Sequence, residues 1–154
     1  MRPLAPAVKT VWLIKQILLW GILSLGALAW EVVNFFDERT LPFGVLSGVV
    51  ILVGILFSVF LPRLRYRFWR FDLRQEELYV ERGIINRIRT IVPLRRIQHL
   101  DVSQDILERE FELGKLIVHT AGTRASTVVV PGLQFEEAEQ LRDTVKHYIL
   151  EDAV

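Results

Sequence analysis

His99, Asp101 and His119 are the residues of this chain whose types come nearest to chemistry. Two neutral imidazoles and a carboxylate make a minimal divalent-metal site if neighbouring strands bring them together. No tight ligand spacing such as HExxH accompanies them, so the plainer reading is a set of polar strand residues, and no metal ion is expected. His119 and Asp101 with Ser126 would make a hydrolase triad in residue types alone, because no GxSxG elbow presents the serine. No P-loop or dinucleotide glycine motif occurs, and the chain has 0 cysteines. The expectation is therefore no catalytic residue, no cofactor and no enzyme.

A second group is basic. Arg63, Arg65, Arg67 and Arg70, with Arg74 beyond them, follow a long apolar run. Beside a bilayer such arginines could clamp anionic headgroups, each contributing about 1 kcal/mol. The plainer reading is topogenic, with the charges only holding the preceding helix in register. Nucleic acid is not expected, since the cluster adjoins a membrane segment and no recognition motif accompanies it.

These groups need elements to hold them. The chain has 154 residues, 51% of them hydrophobic and 24% charged, and its mean hydropathy is +0.32. Such values coexist only if apolar and charged residues are segregated, and so apolar a chain is not disordered. Between Thr40 and Pro62 lie 23 consecutive uncharged residues. As a helix they span roughly 34 Å, enough to cross a bilayer. A shorter run, Gln16 to Trp30, reaches spanning length with Val11 to Lys15; Lys15 would snorkel, and Trp12 and Trp30 would mark the interfaces. A cleaved signal peptide ending at Ala27-Leu28-Ala29 is the rival reading of this run.

Lys/Arg placement sets the orientation. Arg2, Lys9 and Lys15 precede the first helix and five arginines follow the second, whereas the connection holds Glu31, Asp37 and Glu38 against Arg39. The positive-inside rule puts both termini in the cytoplasm. Gly44 and Gly48, a GxxxG near Ser47 and Gly54, allow close approach by the first helix or by a partner's helix.

From residue 63 onward the pattern changes. Arg63-Leu-Arg-Tyr-Arg-Phe alternates with period two, as a half-buried strand would, continuing through Trp69 and Phe71 to Leu73. Further strands are expected at 78–80, 87–92, 97–102, 115–121 and 127–130, the last stopped by Pro131-Gly132. Residues 103–111 read as a loop or short helical turn. Phe135, Ala138, Leu141, Val145 and Tyr148 recur at helical spacing, predicting a terminal amphipathic helix laid on the open end of a small barrel. Residues 63–96 hold 10 Lys/Arg against 4 Asp/Glu and residues 97–154 hold 5 against 11. A basic side facing acidic headgroups would follow if the fold keeps these halves apart.

Val92-Pro93-Leu94-Arg95-Arg96-Ile97-Gln98, then Gln104, Arg109, Leu113-Gly114, Val118 and Thr120-Ala121-Gly122, resemble the bacterial pleckstrin-homology-like membrane proteins of the YdbS type. The resemblance implies a membrane α-helical hairpin plus an α+β/all-β cytoplasmic domain. That domain would be a seven-stranded, bent antiparallel pleckstrin-homology-like barrel capped by a C-terminal helix. Members often sit beside a larger membrane protein carrying several such domains, which implies a partner. Eukaryotic relatives hold inositol phosphates near the first inter-strand loop. Here that loop is Arg74-Gln75-Glu76-Glu77, with two carboxylates where phosphate needs cations. Arg95, Arg96 and Gln98 either support the strand entrance, with Gln98 satisfying backbone groups inside the barrel, or form a docking surface.

The reading is thus residues 1–62 as two transmembrane helices, about 11–30 and 41–62, and residues 63–154 as a cytoplasmic domain. Function is expected to be non-enzymatic assembly with another membrane protein at the cell (plasma or inner) membrane. Reading anionic membrane lipid through the Arg-rich strand is the alternative, and an accessory role in a transporter or envelope enzyme is a third.

Overall fold

The computed structural model describes residues 2–35, 42–121 and 127–151. Asp37, Glu38 and Arg39 of the expected connection, and Gly122 and Ser126, lie outside the described residues. The chain forms two units, Trp12–Arg63 and a second made of Met1–Val11 with Leu64–Val154.

The first unit holds most of two long helices, α1 (Val8–Val33) and α2 (Val45–Phe68), both long and apolar enough to cross a membrane. They pack closely where Gly54 lies under Trp20: a Cβ on Gly54 would stand 2.9 Å from the Trp20 Cβ. Only a residue without a side chain fits there. Trp20 also meets Phe57, with ring centroids 5.8 Å apart. Gly44 precedes α2 with φ +89°, a backbone state that suits glycine.

α2 continues six residues past Pro62, through Arg63, Arg65 and Arg67 to Phe68. The period-two pattern of that stretch is therefore not a strand, which corrects the expectation. A helix already formed gains one hydrogen bond for each residue added. Proline removes one donor, and nothing in Arg-Leu-Arg-Tyr-Arg-Phe ends the ladder. The last turn is also held by tertiary contact, since the Tyr66 hydroxyl donates to the Leu4 carbonyl at 3.0 Å.

In the second unit, β1 (Arg2–Pro3), β2 (Arg70–Leu73), β3 (Glu77–Arg82) and β4 (Ile88–Pro93) form one antiparallel sheet in that order. β5 (Ile97–Ser103), β6 (Leu113–Thr120) and β7 (Thr127–Gln134) form another. A 3-10 turn at Leu94–Arg96 connects the sheets, and the short helix α3 (Ile106–Glu110) lies between β5 and β6. The terminal helix α4 (Phe135–Glu151) lies on β5, β6 and β7. Its Ala138 and Val145 are buried with Phe71, Leu78, Leu116, Val118, Val130 and Leu133. Among the described residues no ladder joins β4 to β5, so the implied barrel is an open pair of sheets. Pro93, without an N–H, and the turn after it interrupt strand pairing at that corner.

Two features depart from sequence expectation. Residues 2–11 belong to the domain: β1 pairs with β2, and Leu4, Val8 and Val11 are buried in the core. β7 also runs through Pro131-Gly132 instead of stopping there. A register shift opposite Gly114–Leu116 absorbs the proline. Gly132 (φ +63°) then approaches the N-terminal segment so closely that a Cβ would stand 2.5 Å from Val8 Cγ2. The Ala5 N–H donates to its carbonyl at 2.8 Å.

Candidate functional site

His99 and His119 are cross-strand partners on β5 and β6. His99 Nε2 lies 2.8 Å from Asp101 Oδ1 and His119 Nε2 lies 3.3 Å from Oδ2, so the carboxylate bridges two imidazoles on an exposed sheet face. His119 Nδ1 is 3.2 Å from Thr127 Oγ1. Both Nε2 atoms are engaged by the carboxylate, and among the described residues no group of three or more is arranged to hold a metal ion. The arrangement acts as a cross-strand polar clasp.

Arg63, Arg65 and Arg67 project from the end of α2 and are exposed, and Arg70 is exposed at the first position of β2. On a helix, residues two apart point about 200° apart, so Arg63 and Arg67 share one face of the helix end and Arg65 lies on the other. Lys9 Nζ stands 4.7 Å from the centroid of the Tyr66 ring within the same cluster. Arg74 lies apart, bonded through Nη1 to Glu77 Oε1 at 2.9 Å in the β2–β3 turn. That turn carries its own counter-charge, and its cation is already occupied by carboxylates.

The residues that carry the family resemblance have structural duties. Gln104 Nε2 donates to the Leu113 carbonyl at 2.7 Å, fastening the loop before α3 to β6. Asp105 and Glu108 form a reciprocal capping box on α3. Gly114 lies under Phe135 and Ala138 of α4. Arg95 and Arg96 are exposed in the 3-10 turn, and Gln98 is exposed at an irregularity in the β5–β6 register. Gln98 therefore does not face the interior as the support reading had it, because the shift between Ile97 and His99 turns it outward.

In the helix pair, Gly48 has nothing within 4 Å of a would-be Cβ, and neither do Gly21 and Gly26 of α1. Gly44 is likewise open and lies outside the helix, so neither glycine of the GxxxG packs against α1. Among the described glycines of α1 and α2, the one packed against the other helix is Gly54. One residue absent from the sequence reading as a site, Glu31, is 5% exposed and holds the hairpin together. Its carboxylate accepts from Leu46 N (2.8 Å), Ser47 N (3.3 Å) and Ser47 Oγ (2.7 Å). The end of α1 thus caps the start of α2, neutralising donors that an apolar environment leaves unsatisfied. Capping motifs are local in sequence, and a cap supplied from 15 residues away has no such signature.

The family model for the bacterial PH domain matches residues 12–149. The chain belongs to the bacterial PH domain family. This bacterial PH domain protein is 31% identical over 143 residues to the UPF0699 transmembrane protein YdbS of Bacillus subtilis (strain 168), covering 92% of the chain and 88% of YdbS. It is also 26% identical over 98 residues to the transmembrane protein YdbT of the same organism, covering 62% of the chain and 20% of YdbT. No solved structure matches it. The bacterial PH domain protein is therefore a membrane protein of the YdbS type, and among its described residues two helices are long and apolar enough to cross a membrane.

Proposed function

We propose that the chain is a non-enzymatic two-span protein that presents its bacterial PH domain to the cytoplasm for assembly with another membrane protein. The observation that carries this reading is that residues before α1 and after α2 build one domain. Both flanks of the helix pair must then lie on one side of the bilayer. Arg2, Lys9 and Lys15 join Arg63, Arg65, Arg67, Arg70 and Arg74 on that side, and an excess of Lys/Arg marks the cytoplasmic face.

Assembly is supported by the helix faces. Gly21, Gly26 and Gly48 leave open positions where another helix could pack backbone to backbone. The partner we favour is a larger membrane protein containing the same domain. The match to YdbT supports this, since a stretch like this chain fills only 20% of that protein.

A photoreactive residue at Gly48 and another at Arg95, in the full-length protein in native membranes, test the reading. An adduct with a membrane protein carrying a bacterial PH domain is expected. Adducts with lipid alone at Gly48 and none at Arg95 would defeat it. A single cysteine at Gln75, in a chain with 0 of its own, should resist impermeant maleimide added to intact cells.

A further inference from the structure

The strand register fixes which turns lie at the end of the first sheet where the chain departs for the membrane helices. α2 ends at Phe68 and β2 begins at Arg70. β2 pairs with β3 through Arg70↔Glu81 and Leu73↔Leu78, so β3 returns toward that end. β3 pairs with β4 through Arg82↔Ile88, so residues 83–87 form the turn there. β1 pairs Pro3 with Arg70, and the chain runs on from it into α1. The opposite end holds the turn at 74–76 and the Leu94–Arg96 turn, joined by Leu94 N–H donating to the Glu76 carbonyl at 2.9 Å. A side-chain contact agrees with this geometry: the Arg87 guanidinium carbon lies 5.9 Å from the Phe68 ring centroid. Phe68 is six residues along α2 from Pro62, about 9 Å of helix rise.

The turn has the composition of a membrane-interface element. It reads Arg82-Gly83-Ile84-Ile85-Asn86-Arg87-Ile88-Arg89. Ile85 is 100% exposed and Ile88 is 44% exposed. Gly83, at φ +116°, lets the backbone fold so tightly that a Cβ would strike the Asn86 carbonyl. Arg82, Arg87 and Arg89 are exposed around the tip, and Arg89 Nε also reaches Glu81 Oε1 at 3.4 Å. An apolar tip ringed by long basic side chains suits the headgroup layer. There the isoleucine leaves water while the guanidinium groups meet phosphates.

We propose that the β3–β4 turn is a second attachment of the domain to the bilayer: Ile85 enters the interfacial layer, and Arg82 and Arg87 contact anionic headgroups. The proposal rests on the reading that α1 and α2 cross that bilayer. The lipid surface, in preference to a protein groove, is favoured by the placement of the turn at the membrane-exit end and by the charge of its rim.

The test uses full-length protein with one introduced cysteine at Ile85, Gln75 or Leu52, labelled with an environment-sensitive fluorophore. Each is reconstituted in vesicles of phosphatidylcholine with phosphatidylglycerol. Ile85 is fully exposed, so its replacement removes no packing. The Leu52 label is read with lipids spin-labelled near the chain terminus, which report the bilayer centre. Lipids spin-labelled near the carbonyl end of the acyl chain should quench the Ile85 label several-fold more than the Gln75 label. The difference should shrink in pure phosphatidylcholine and in a variant carrying Arg82→Gln and Arg87→Gln. Equal, weak quenching at Ile85 and Gln75 with strong quenching at Leu52 overturns the proposal while leaving the spanning helices intact. Weak quenching at Leu52 as well overturns the spanning reading, and the proposal falls with it. Shielding of Ile85 from aqueous iodide without lipid quenching means that a protein surface covers the turn, which also overturns it.

Discussion

Leu4→Ala tests the most consequential claim about this domain, that residues ahead of the first helix are part of its core. Leu4 is 1% exposed. The substitution leaves the neighbouring backbone interactions in place, namely the Tyr66 hydroxyl on the Leu4 carbonyl and the Ala5 N–H on the Gly132 carbonyl. What is lost is packing alone. Leu→Ala at buried sites costs about 2–5 kcal/mol, depending on how far the site collapses. Leu4 follows a two-residue edge strand whose backbone can partly close the cavity, so about 2–3 kcal/mol is expected. With a urea dependence of about 1–3 kcal/mol per M, the midpoint should fall by roughly 1–2 M. The assay is urea unfolding of full-length protein in lipid nanodiscs, followed by the loss of β-sheet circular dichroism, which reports the two sheets of the domain. Arg2→Ala, which removes only an exposed 4.0 Å contact with Glu137, is the control and should shift the midpoint little. A Leu4→Ala midpoint indistinguishable from that of the parent would refute the placement of residues 2–11 in the domain. The same logic bears on processing: cleavage after Ala29 would remove Leu4, Val8 and Val11, all buried. Intact mass of the mature protein should therefore include them.

Four further outcomes are expected. Glu31→Ala, which uncaps α2, should lower hairpin stability in detergent by about 1–2 kcal/mol, and Glu31→Gln by less, read by thermal unfolding. Gly54→Leu should cost about 1–3 kcal/mol by forcing α2 off Trp20, and adding Trp20→Ala should recover part of that loss in the same assay. Gly132→Ala combines a left-handed backbone with a close approach to Val8, so its urea midpoint should fall by roughly as much as that of Leu4→Ala. A hydrogen bond from Arg142 Nε to Asp143 Oδ1, 2.9 Å, holds the Asp143 carboxyl below the usual carboxylate range. A lowered folded-state value means that the contribution is present above the ordinary carboxylate value and is lost as pH falls through the lower, folded one. Asp143→Asn should thus lower the urea midpoint slightly at neutral pH, by the small amount an exposed pair contributes, and leave it unchanged below the folded-state value, flattening the acidic limb of the stability curve.

The elements best legible in the sequence are those with long, consistent periods. The uncharged run ending at Pro62 is a helix, the strands around Leu78, Val92, Val102 and Val118 are present, and Phe135 to Tyr148 form the terminal helix. β1 escaped notice because two residues cannot display a period, and its existence depends on partners near residues 70 and 132. Arg63 to Phe68 misled for the opposite reason, showing alternation over six residues that the preceding helix overrides. Pro131-Gly132 reads locally as a stop, yet its geometry answers a distant need, room for Val8. Glu31 was legible only as a charge in a connection, since its three acceptor bonds depend on a helix start far along the chain. The surface groups behaved similarly. The register that joins His99 to His119, and the sheet end that gathers Ile85 with Arg87, follow from strand pairing that composition does not encode.

The strand at the N-terminus also imposes an order on biosynthesis. Arg2 to Val11 are made well before their partners at Phe71 and Gly132, which emerge only after both apolar helices. If just one helix were threaded into the bilayer, the two halves of the domain would be stranded in different compartments, and Leu4 would have nowhere to go. On the proposed two-span topology, a half-inserted chain would thus be left with an unpaired strand edge and exposed apolar surface, the features that favour aggregation.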